Sequence, residues 1–335
     1  MSEMLLKGEN AMPFLIAGIV IAAIALLVII ISLVCFFLVF YSSKRSRVYK
    51  EEYPTPKGEV YDDYRGQMVA WIKGIRSMGH RDLFVTSYDG LRLHGQYYEY
   101  KKGAPTEILF HGYRGGAERD MAGGVHRCFA LGRNALIVDQ RGAGISEGRV
   151  ITFGAKECRD VKTWVEYFID NVDKDAKIII TGISMGAATV MMAASMELPE
   201  NVVGVLADCG YTSTKEIIKK VMRDIKLPAD VFYPFVKLGA LIFGGFDPDA
   251  ASPIESMKKC SLPIVFFHGD EDAFVPCYMS EQNYAACASE QKKLVITKGA
   301  GHGLCFPVDR DLYYIALDEF FRPILQNDSP QIPTK

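Results

Sequence analysis

The chain opens with a long stretch that lacks any alternation of hydrophobic and polar positions. From Pro13 to Phe40 no residue is charged, and Ser32 carries the one polar side chain. This run of 28 residues exceeds the roughly 20 that a helix needs to cross a bilayer. It predicts a transmembrane helix over 13–41, preceded by a short N-terminal segment at 1–12. The alternative is a buried helix of a soluble domain, but such helices rarely continue so far without a charge.

A cleaved signal peptide would also begin with an apolar run. Its hydrophobic region covers about 7–15 residues and ends at a small-residue cleavage site, whereas this run is longer and ends in Val39-Phe40-Tyr41. Lys7 is the one basic side chain before the run, but a basic cluster follows it closely: Lys44, Arg45, Arg47 and Lys50. Basic residues favour the cytoplasmic side of a membrane helix. We therefore expect a single-pass protein of the cell membrane with its N-terminus outside and its C-terminal domain in the cytoplasm.

The cysteines and the overall charge narrow the class of protein further. Seven of the eight cysteines lie beyond the apolar run, without close spacing, which is typical of reduced thiols rather than of a disulfide framework. No CxxC pair occurs, so neither a zinc site nor another cofactor is predicted. The net charge of −2 and a pI near 6.3 give no reason to expect nucleic-acid binding.

Residues 42–77 are predicted to form a juxtamembrane linker followed by an amphipathic helix. The linker is polar and basic and contains Pro54 and Pro56. We expect the helix to pack on the domain that follows, although it could instead lie on the membrane surface. Its apolar positions recur at steps of three and four residues, as on one face of a helix: Val60, Tyr61, Tyr64, Met68, Trp71, Ile72 and Ile75.

From residue 78 to residue 325, short apolar strands alternate with helical patterns, which implies an α/β domain with a mostly parallel sheet and helices on both faces. The turn signal Tyr88-Asp89-Gly90 makes the first two strands an antiparallel hairpin. Helical patterns lie at 117–131, 154–171 and 185–197. The eight predicted strands are Leu83–Ser87, Leu91–Tyr98, Glu107–Phe110, Ala135–Asp139, Lys177–Thr181, Val202–Ala207, Pro263–His268 and Lys292–Thr297.

The alternation is interrupted at 211–258, between the sixth and seventh strands. This stretch is rich in large apolar residues, and we interpret it as a small helical lid over a binding site. The alternative is an ordinary crossover helix with an embellishment. The tail at 326–335 is polar, contains two prolines and is predicted to be disordered.

The residues with the strongest chemical pattern are Gly182-Ile183-Ser184-Met185-Gly186. A GxSxG pattern by itself is weak evidence, but this one directly follows a predicted strand and opens a predicted helix, which is the context that the chemistry requires. A sharp turn at this point raises the serine hydroxyl above the sheet edge, and glycines on either side avoid steric clashes. The pattern predicts that Ser184 is a nucleophile.

A serine hydroxyl needs a base to react at neutral pH. Among the six histidines, His302 lies on a glycine-rich loop after the last strand, at the same sheet edge as Ser184. The base in turn needs a carboxylate that orients it. Asp272, after the seventh strand, is the predicted partner; the alternatives are Asp270, Glu271 and Asp208.

Hydrolysis by a serine also requires two backbone N–H groups that stabilise the developing oxyanion. One is expected from Met185, which follows the nucleophile. The other is expected from Tyr113, in the loop at 111–116 after the third strand, where the kink at Gly112 would direct the N–H into the site. A plain glycine-rich turn without this role is the alternative.

Several of these motifs occur together in one order: HGYRG (111–115), DQRGAGISEG (139–148), GISMG (182–186), DCGYTS (208–213), HGDEDAFVP (268–276) and GAGHG (299–303). On these motifs, residues 78–325 resemble the α/β-hydrolase superfamily, whose members carry their catalytic residues in the order serine, acid, histidine. Within it the chain is similar to membrane-anchored bacterial hydrolases related to BEM46- and ABHD13-type proteins. The resemblance implies a triad of Ser184, Asp272 and His302.

The leading hypothesis is hydrolysis of ester or thioester bonds through an acyl-enzyme. The apolar stretch at 211–258 and the N-terminal helix favour a small acyl ester or lipid-like substrate close to a membrane. A serine peptidase, either an aminopeptidase or a relative of prolyl oligopeptidase, would use the same catalytic parts. A non-catalytic binding protein of this fold would be expected to have lost a triad residue, and none is missing here.

Overall fold

The computed structural model describes residues 2–43 and 51–326. Two of the features discussed above, the basic cluster at 44–50 and the polar tail after Gln326, lie outside the described residues. The strands are β1 (Arg81–Thr86), β2 (Arg92–Tyr98), β3 (Thr106–Phe110), β4 (Asn134–Asp139), β5 (Ile178–Ile183), β6 (Val202–Asp208), β7 (Ile264–Gly269) and β8 (Lys292–Thr297). The α-helices are α1 (Ser2–Val39), α2 (Asp62–Ser77), α3 (Ala117–Ala130), α4 (Glu157–Asn171), α5 (Met185–Ala193), α6 (Thr214–Asp224), α7 (Ala229–Gly239), α8 (Pro253–Met257), α9 (Tyr278–Ala286), α10 (Cys305–Val308) and α11 (Arg310–Gln326). A 3-10 turn (Glu59–Tyr61) precedes α2, and a π-helix (Ala240–Gly244) continues α7.

The strands form one eight-stranded sheet in the order β1-β2-β4-β3-β5-β6-β7-β8. β2 pairs antiparallel with both β1 and β4, and the remaining neighbours are parallel. This confirms the predicted α/β class with its antiparallel opening hairpin. Because parallel strands end at the same edge of a sheet, the segments that follow β3, β5, β6, β7 and β8 begin at one edge.

Helices cover both faces of the sheet because successive strand residues point to opposite sides. In β3, Ile108 and Phe110 belong to the apolar cluster that contains Trp164 of α4, whereas Leu109 belongs to the cluster that contains Ile72 of α2. Helices α4, α5, α8 and α9 pack on the first face. Helices α2, α3 and α11 pack on the second.

Among the described residues, α1 is the one helix long and apolar enough to cross a membrane. Its side chains from residue 12 to residue 27 are exposed. Toward its C-terminal end one side becomes buried, at Ser32, Phe36 and Phe40. Since these positions are four residues apart, they lie on one face of the helix, and this face packs against α7 and the π-helix.

The stretch at 211–258 folds into α6, α7, the π-helix and α8. α7 approaches α1 most tightly at Gly239, where a Cβ atom would lie 2.4 Å from the carbonyl oxygen of Ser32. Phe36 of α1 shares a buried cluster with Tyr233 and Val236 of α7 and with Met185 of α5. The stretch therefore connects α1 to the sheet domain.

Candidate active site

Ser184 lies at the sharp turn between β5 and α5, with φ 56° and ψ −117°. A positive φ at a non-glycine residue costs about 1–3 kcal/mol and persists where the surroundings enforce it. Here the enforcement is steric. A Cβ on Gly182 would lie 2.1 Å from the carbonyl oxygen of Gly186, and a Cβ on Gly186 would lie 1.9 Å from the carbonyl oxygen of Phe110. Glycine at both positions allows the turn to close against β3.

A continuous hydrogen-bonded chain runs from Ser184 through His302 to Asp272. Nδ1 of His302 is 2.7 Å from Oδ2 of Asp272, and Nε2 is 2.9 Å from Oγ of Ser184. An ionised carboxylate only accepts hydrogen bonds, so Nδ1 carries the proton and the Nε2 lone pair accepts from the serine hydroxyl. The geometry thus directs the basic nitrogen of His302 at Ser184.

The carboxylate of Asp272 is held by more than His302. Its Oδ1 accepts hydrogen bonds from the backbone N–H groups of Phe274 and Val275, at 2.9 and 2.8 Å. Nε2 of His268 is 3.2 Å from Oδ2. Burial by itself would raise the pKa of the Asp272 carboxyl, but the hydrogen bonds from His268 and His302 outweigh it and hold that pKa well below its usual range. The Asp272 carboxylate is therefore ionised and accepts the hydrogen bond that orients His302.

His268, near the end of β7, is a further part of the site that the sequence pattern does not identify. It is fully buried, and its Nε2 faces two acceptors, the Asp272 carboxylate and the carbonyl oxygen of Val275 at 2.7 Å. Nε2 therefore carries the proton, and Nδ1 accepts from the hydroxyl of Ser280 at 2.6 Å. The spacing of four residues between His268 and Asp272 in the HGDEDAFVP motif was the available signal.

The alternative carboxylates have other partners. Oδ1 of Asp270 accepts from the backbone N–H of Gly299 at 2.6 Å. Oδ2 of Asp208 accepts from the hydroxyl of Tyr313 at 2.9 Å, and burial raises the pKa of the Asp208 carboxyl. Glu271 has no side-chain hydrogen bond among the described residues. Within the described residues, Asp272 is the carboxylate bonded to His302.

The two expected oxyanion donors flank Ser184. Met185 begins α5, and Gly112 and Tyr113 line the same cavity as Ser184 and His302. Neither the N–H of Tyr113 nor that of Met185 donates to an acceptor among residues 2–43 and 51–326. The N-terminus of α5 also contributes partial positive charge at this point. Within the described residues, both N–H groups are therefore available as donors.

The side chains of this loop contact the end of α1. The hydroxyl of Tyr113 donates to the carbonyl oxygen of Val39 at 2.6 Å. The guanidinium of Arg114 donates to the carbonyl oxygens of Leu38 and Tyr41, at 2.8 and 3.3 Å. These groups satisfy carbonyls that the end of a helix otherwise leaves unpaired. The last turn of α1 is therefore attached directly to the loop that carries Tyr113.

A cavity of about 350 Å³ extends from Ser184 and His302 along the α2 side of the sheet edge. Its walls include the 3-10 turn and α2, through Tyr61, Met68 and Trp71. In the part of the chain that the structure describes, no residue of 211–258 lines it. Burial, followed by the nearby Cys209 thiol and acidic side chains, raises the pKa of the Tyr61 phenol, so Tyr61 presents a neutral hydroxyl.

The chain is similar in sequence to several known proteins. The family model "Serine aminopeptidase, S33" matches residues 106–234. The uncharacterised protein MT2364 of Mycobacterium tuberculosis is 30% identical over 227 residues, covering 66% of this chain and 72% of its own. This chain belongs to the α/β-hydrolase superfamily. The α/β-hydrolase domain is also similar to protein bem46 of Schizosaccharomyces pombe, with 27% identity over 193 residues, 56% of this chain and 58% of that protein.

The fold of this α/β-hydrolase is shared with the Pyrococcus furiosus esterase Pf2001. The two superpose with a TM-score of 0.63 at 24% sequence identity, over 81% of this chain and 96% of the esterase. The family model, the similarity to bem46 and the shared fold together confirm the expected resemblance to the α/β-hydrolase superfamily and to BEM46-like proteins.

The turn at Ser184 makes a prediction about stability. Gly186→Ala should lower the free energy of unfolding by about 1–3 kcal/mol, because the new Cβ would overlap the Phe110 carbonyl oxygen and overpacking costs about this much. The matched control is Gly66→Ala in α2, where a Cβ meets open space; it should raise stability by about 0.5–1 kcal/mol. Urea unfolding of both variants in detergent measures the difference, and equal midpoints would contradict the steric account.

Proposed function

We propose that this α/β-hydrolase cleaves ester or thioester bonds, with Ser184 as nucleophile, His302 as general base and Asp272 as the carboxylate that orients His302. The observation that supports this most directly is the chain of hydrogen bonds from Ser184 to His302 to Asp272, at 2.9 and 2.7 Å. Distances of about 2.6–3.2 Å between nucleophile, base and carboxylate are those that such catalysis requires.

The reaction proceeds in two halves. Oγ of Ser184 bonds to the carbonyl carbon of the substrate as its proton moves to Nε2 of His302. The carbonyl oxygen becomes an oxyanion that accepts hydrogen bonds from the N–H groups of Tyr113 and Met185. Collapse breaks the bond to the leaving alcohol or thiol, which takes the proton from Nε2. Water then attacks the acyl-enzyme by the same route, giving the free acid and the original serine.

Asp272 contributes orientation and charge. It keeps the proton of His302 on Nδ1, so that Nε2 is free to accept, and its negative charge stabilises the imidazolium that forms in each half-reaction. The pKa of its carboxyl is held below the usual range, so it stays ionised as His302 gains a proton. His268 acts on Asp272 and is a positioning residue.

The cavity favours an acyl substrate over an amine-bearing one. Its walls are largely apolar side chains, among them Met68, Trp71 and Phe306. Two acidic residues that also line it, Asp120 and Asp208, are already bonded to Arg119 and Tyr313. An acyl chain can bury itself against such walls, whereas recognition of a peptide amino group would need an available carboxylate. The second candidate, a serine peptidase, is favoured by the name of the matching family model.

The N-terminal helix supports a location at the membrane. We propose that 13–41 anchors the protein in the cell membrane as a single pass, with the hydrolase domain on the cytoplasmic side. The support comes from the length and hydropathy of Met12–Val39 and from the basic residues at 44–50. A lipid or another acyl ester of the membrane would then be within reach of Ser184.

The nucleophile assignment is tested by covalent labelling. A fluorophosphonate probe should label the full-length protein, and Ser184→Ala should abolish the labelling because the probe requires an activated serine. Ser195→Ala is the matched control, since Ser195 follows the same helix and its hydroxyl bonds only the Met192 carbonyl. Gel fluorescence of the three proteins provides the readout. Unchanged labelling of Ser184→Ala would contradict the assignment.

The bond class is tested by comparing substrates. The wild-type protein should hydrolyse p-nitrophenyl esters and acyl-CoA thioesters, with a preference for longer acyl chains that fill the apolar cavity. It should be far slower on aminoacyl-nitroanilides, because the carboxylates that line the cavity in the described part of the chain, Asp120 and Asp208, already accept hydrogen bonds from Arg119 and Tyr313. Steady-state kcat/KM for each series is the measurement. If the protein turned over only the nitroanilides, a serine peptidase would replace the esterase as the proposed function.

A further inference from the structure

The exposed part of α1 has the length of a bilayer's hydrocarbon core. The uncharged run begins at Pro13; from there to Ile31 the side chains are exposed or half-buried, and Ser32 is the first buried position among those described. These nineteen residues of α-helix rise about 28 Å, and the hydrocarbon core is about 30 Å thick. The apolar run is longer than a membrane requires because its last turns are buried in protein, at Phe36 and Phe40.

The boundary between the two parts is marked by Gly239. A Cβ there would touch the carbonyl oxygen of Ser32 at 2.4 Å and the Cβ of Phe36 at 3.2 Å. The π-helix follows at once, and the ring of Phe243 lies 5.9 Å from that of Phe36. The residues at 240–244 therefore lie within about one helical turn of the level at which α1 leaves the bilayer.

The domain cannot turn freely about α1 at this level. The carbonyls of Leu38 and Val39 accept hydrogen bonds from the loop that carries Tyr113. Tyr41 forms a β-bridge with Val150, and the Ser42 hydroxyl donates to the carbonyl oxygen of Gly142. This series of contacts fixes the height and the rotation of the hydrolase domain relative to the helix.

Two large apolar side chains project outward at the same level. Leu241 is 44% exposed and Ile242 is 53% exposed, although Gly244 and Ala240 beside them are buried. The one lysine of α7, Lys237, forms ion pairs with Asp247 and Asp249. Its ammonium group is therefore already paired within the hydrolase domain. Exposing two adjacent aliphatic side chains to water is unfavourable, by about 25 cal/mol for each Å² of apolar surface.

We infer that Leu241 and Ile242 form a second membrane contact, inserted beside α1 at the boundary between hydrocarbon and headgroups of the same bilayer. The inference rests on the proposed membrane anchoring and adds an orientation to it. Val39 lies seven residues beyond Ser32, about 10 Å farther along the helix, and Tyr113 is bonded there. Ser184 thus faces the headgroup region, and the substrate class is an ester whose acyl chain comes from the bilayer.

Tryptophan fluorescence in vesicles tests this contact. Full-length protein carrying Leu241→Trp is reconstituted into phosphatidylcholine–phosphatidylglycerol vesicles with lipids brominated at shallow or deep acyl positions. Two variants are matched to it: Leu26→Trp, exposed on α1 about 9 Å before Ser32, and Ile315→Trp, exposed on α11. The unsubstituted protein supplies the background of its two native tryptophans. We expect shallow bromines to quench Leu241→Trp most, deep bromines to quench Leu26→Trp most, and Ile315→Trp to remain at background.

The outcomes separate this inference from the anchoring on which it rests. If Leu26→Trp is quenched and Leu241→Trp stays at background, α1 spans the bilayer and the second contact is overturned. The same holds if Leu241→Trp is shielded from water but insensitive to bromine, since a protein partner then covers it. If Leu26→Trp is not quenched, both the anchoring and the second contact are overturned.

Discussion

The close approach of β5, α5 and β3 around Gly182 and Gly186 is the constraint on which the site depends. No side chain fits between these backbones, so the chain turns sharply and Ser184 is left with a positive φ. The turn raises its hydroxyl toward the loop of His302 and places the N-terminus of α5 directly beneath it. Strain at Ser184 is thus offset by the packing of a buried parallel sheet, and it yields a serine that is already oriented for reaction.

The second organising feature is the attachment of the N-terminal region at two places around this site. The end of α1 is bonded to Tyr113 and Arg114, and the segment that leads into α2 contributes Tyr61 to the wall of the cavity. In the proposed function, the membrane helix therefore contacts the loop that carries Tyr113 directly, and the segment that follows the helix forms part of the cavity wall. In that proposal, one N-terminal region serves both for attachment to the membrane and for the wall along which the substrate lies.

Much of the fold follows from the sequence, because strand–helix alternation and chain order limit the possible topologies. The positions of Ser184, Asp272 and His302 after their strands were enough to predict that they meet, and the structure brings them within hydrogen-bond distance. Other features depend on packing between distant segments. The periodicity that includes Tyr61 predicts a packed face but does not show that this face meets the cavity beside Ser184. His268 lies four residues from Asp272, but the strand pattern alone does not show that its side chain supports that carboxylate.

The apolar run at 13–40 is a second case in which the sequence reveals only part of the packing. Its hydropathy predicts a membrane helix but does not reveal that the last turns, from Ser32 onward, are buried against α7. For the stretch at 211–258, the interrupted alternation and the apolar composition suggest a lid but do not identify the segment on which the apolar side chains pack. Much of that apolar surface in fact contacts α1, and the cavity beside Ser184 is lined by other segments.

If Ser184 is the nucleophile, an acyl group must become covalently bonded to its Oγ in every turnover. Full-length protein mixed with a p-nitrophenyl ester and quenched in acid during the first turnovers can be digested and mapped by mass spectrometry. The account predicts the added acyl mass on the peptide that contains Ser184, at a level that falls as the ester is consumed. An acyl group on another side chain, such as Cys209, or undiminished hydrolysis by Ser184→Ala would contradict it.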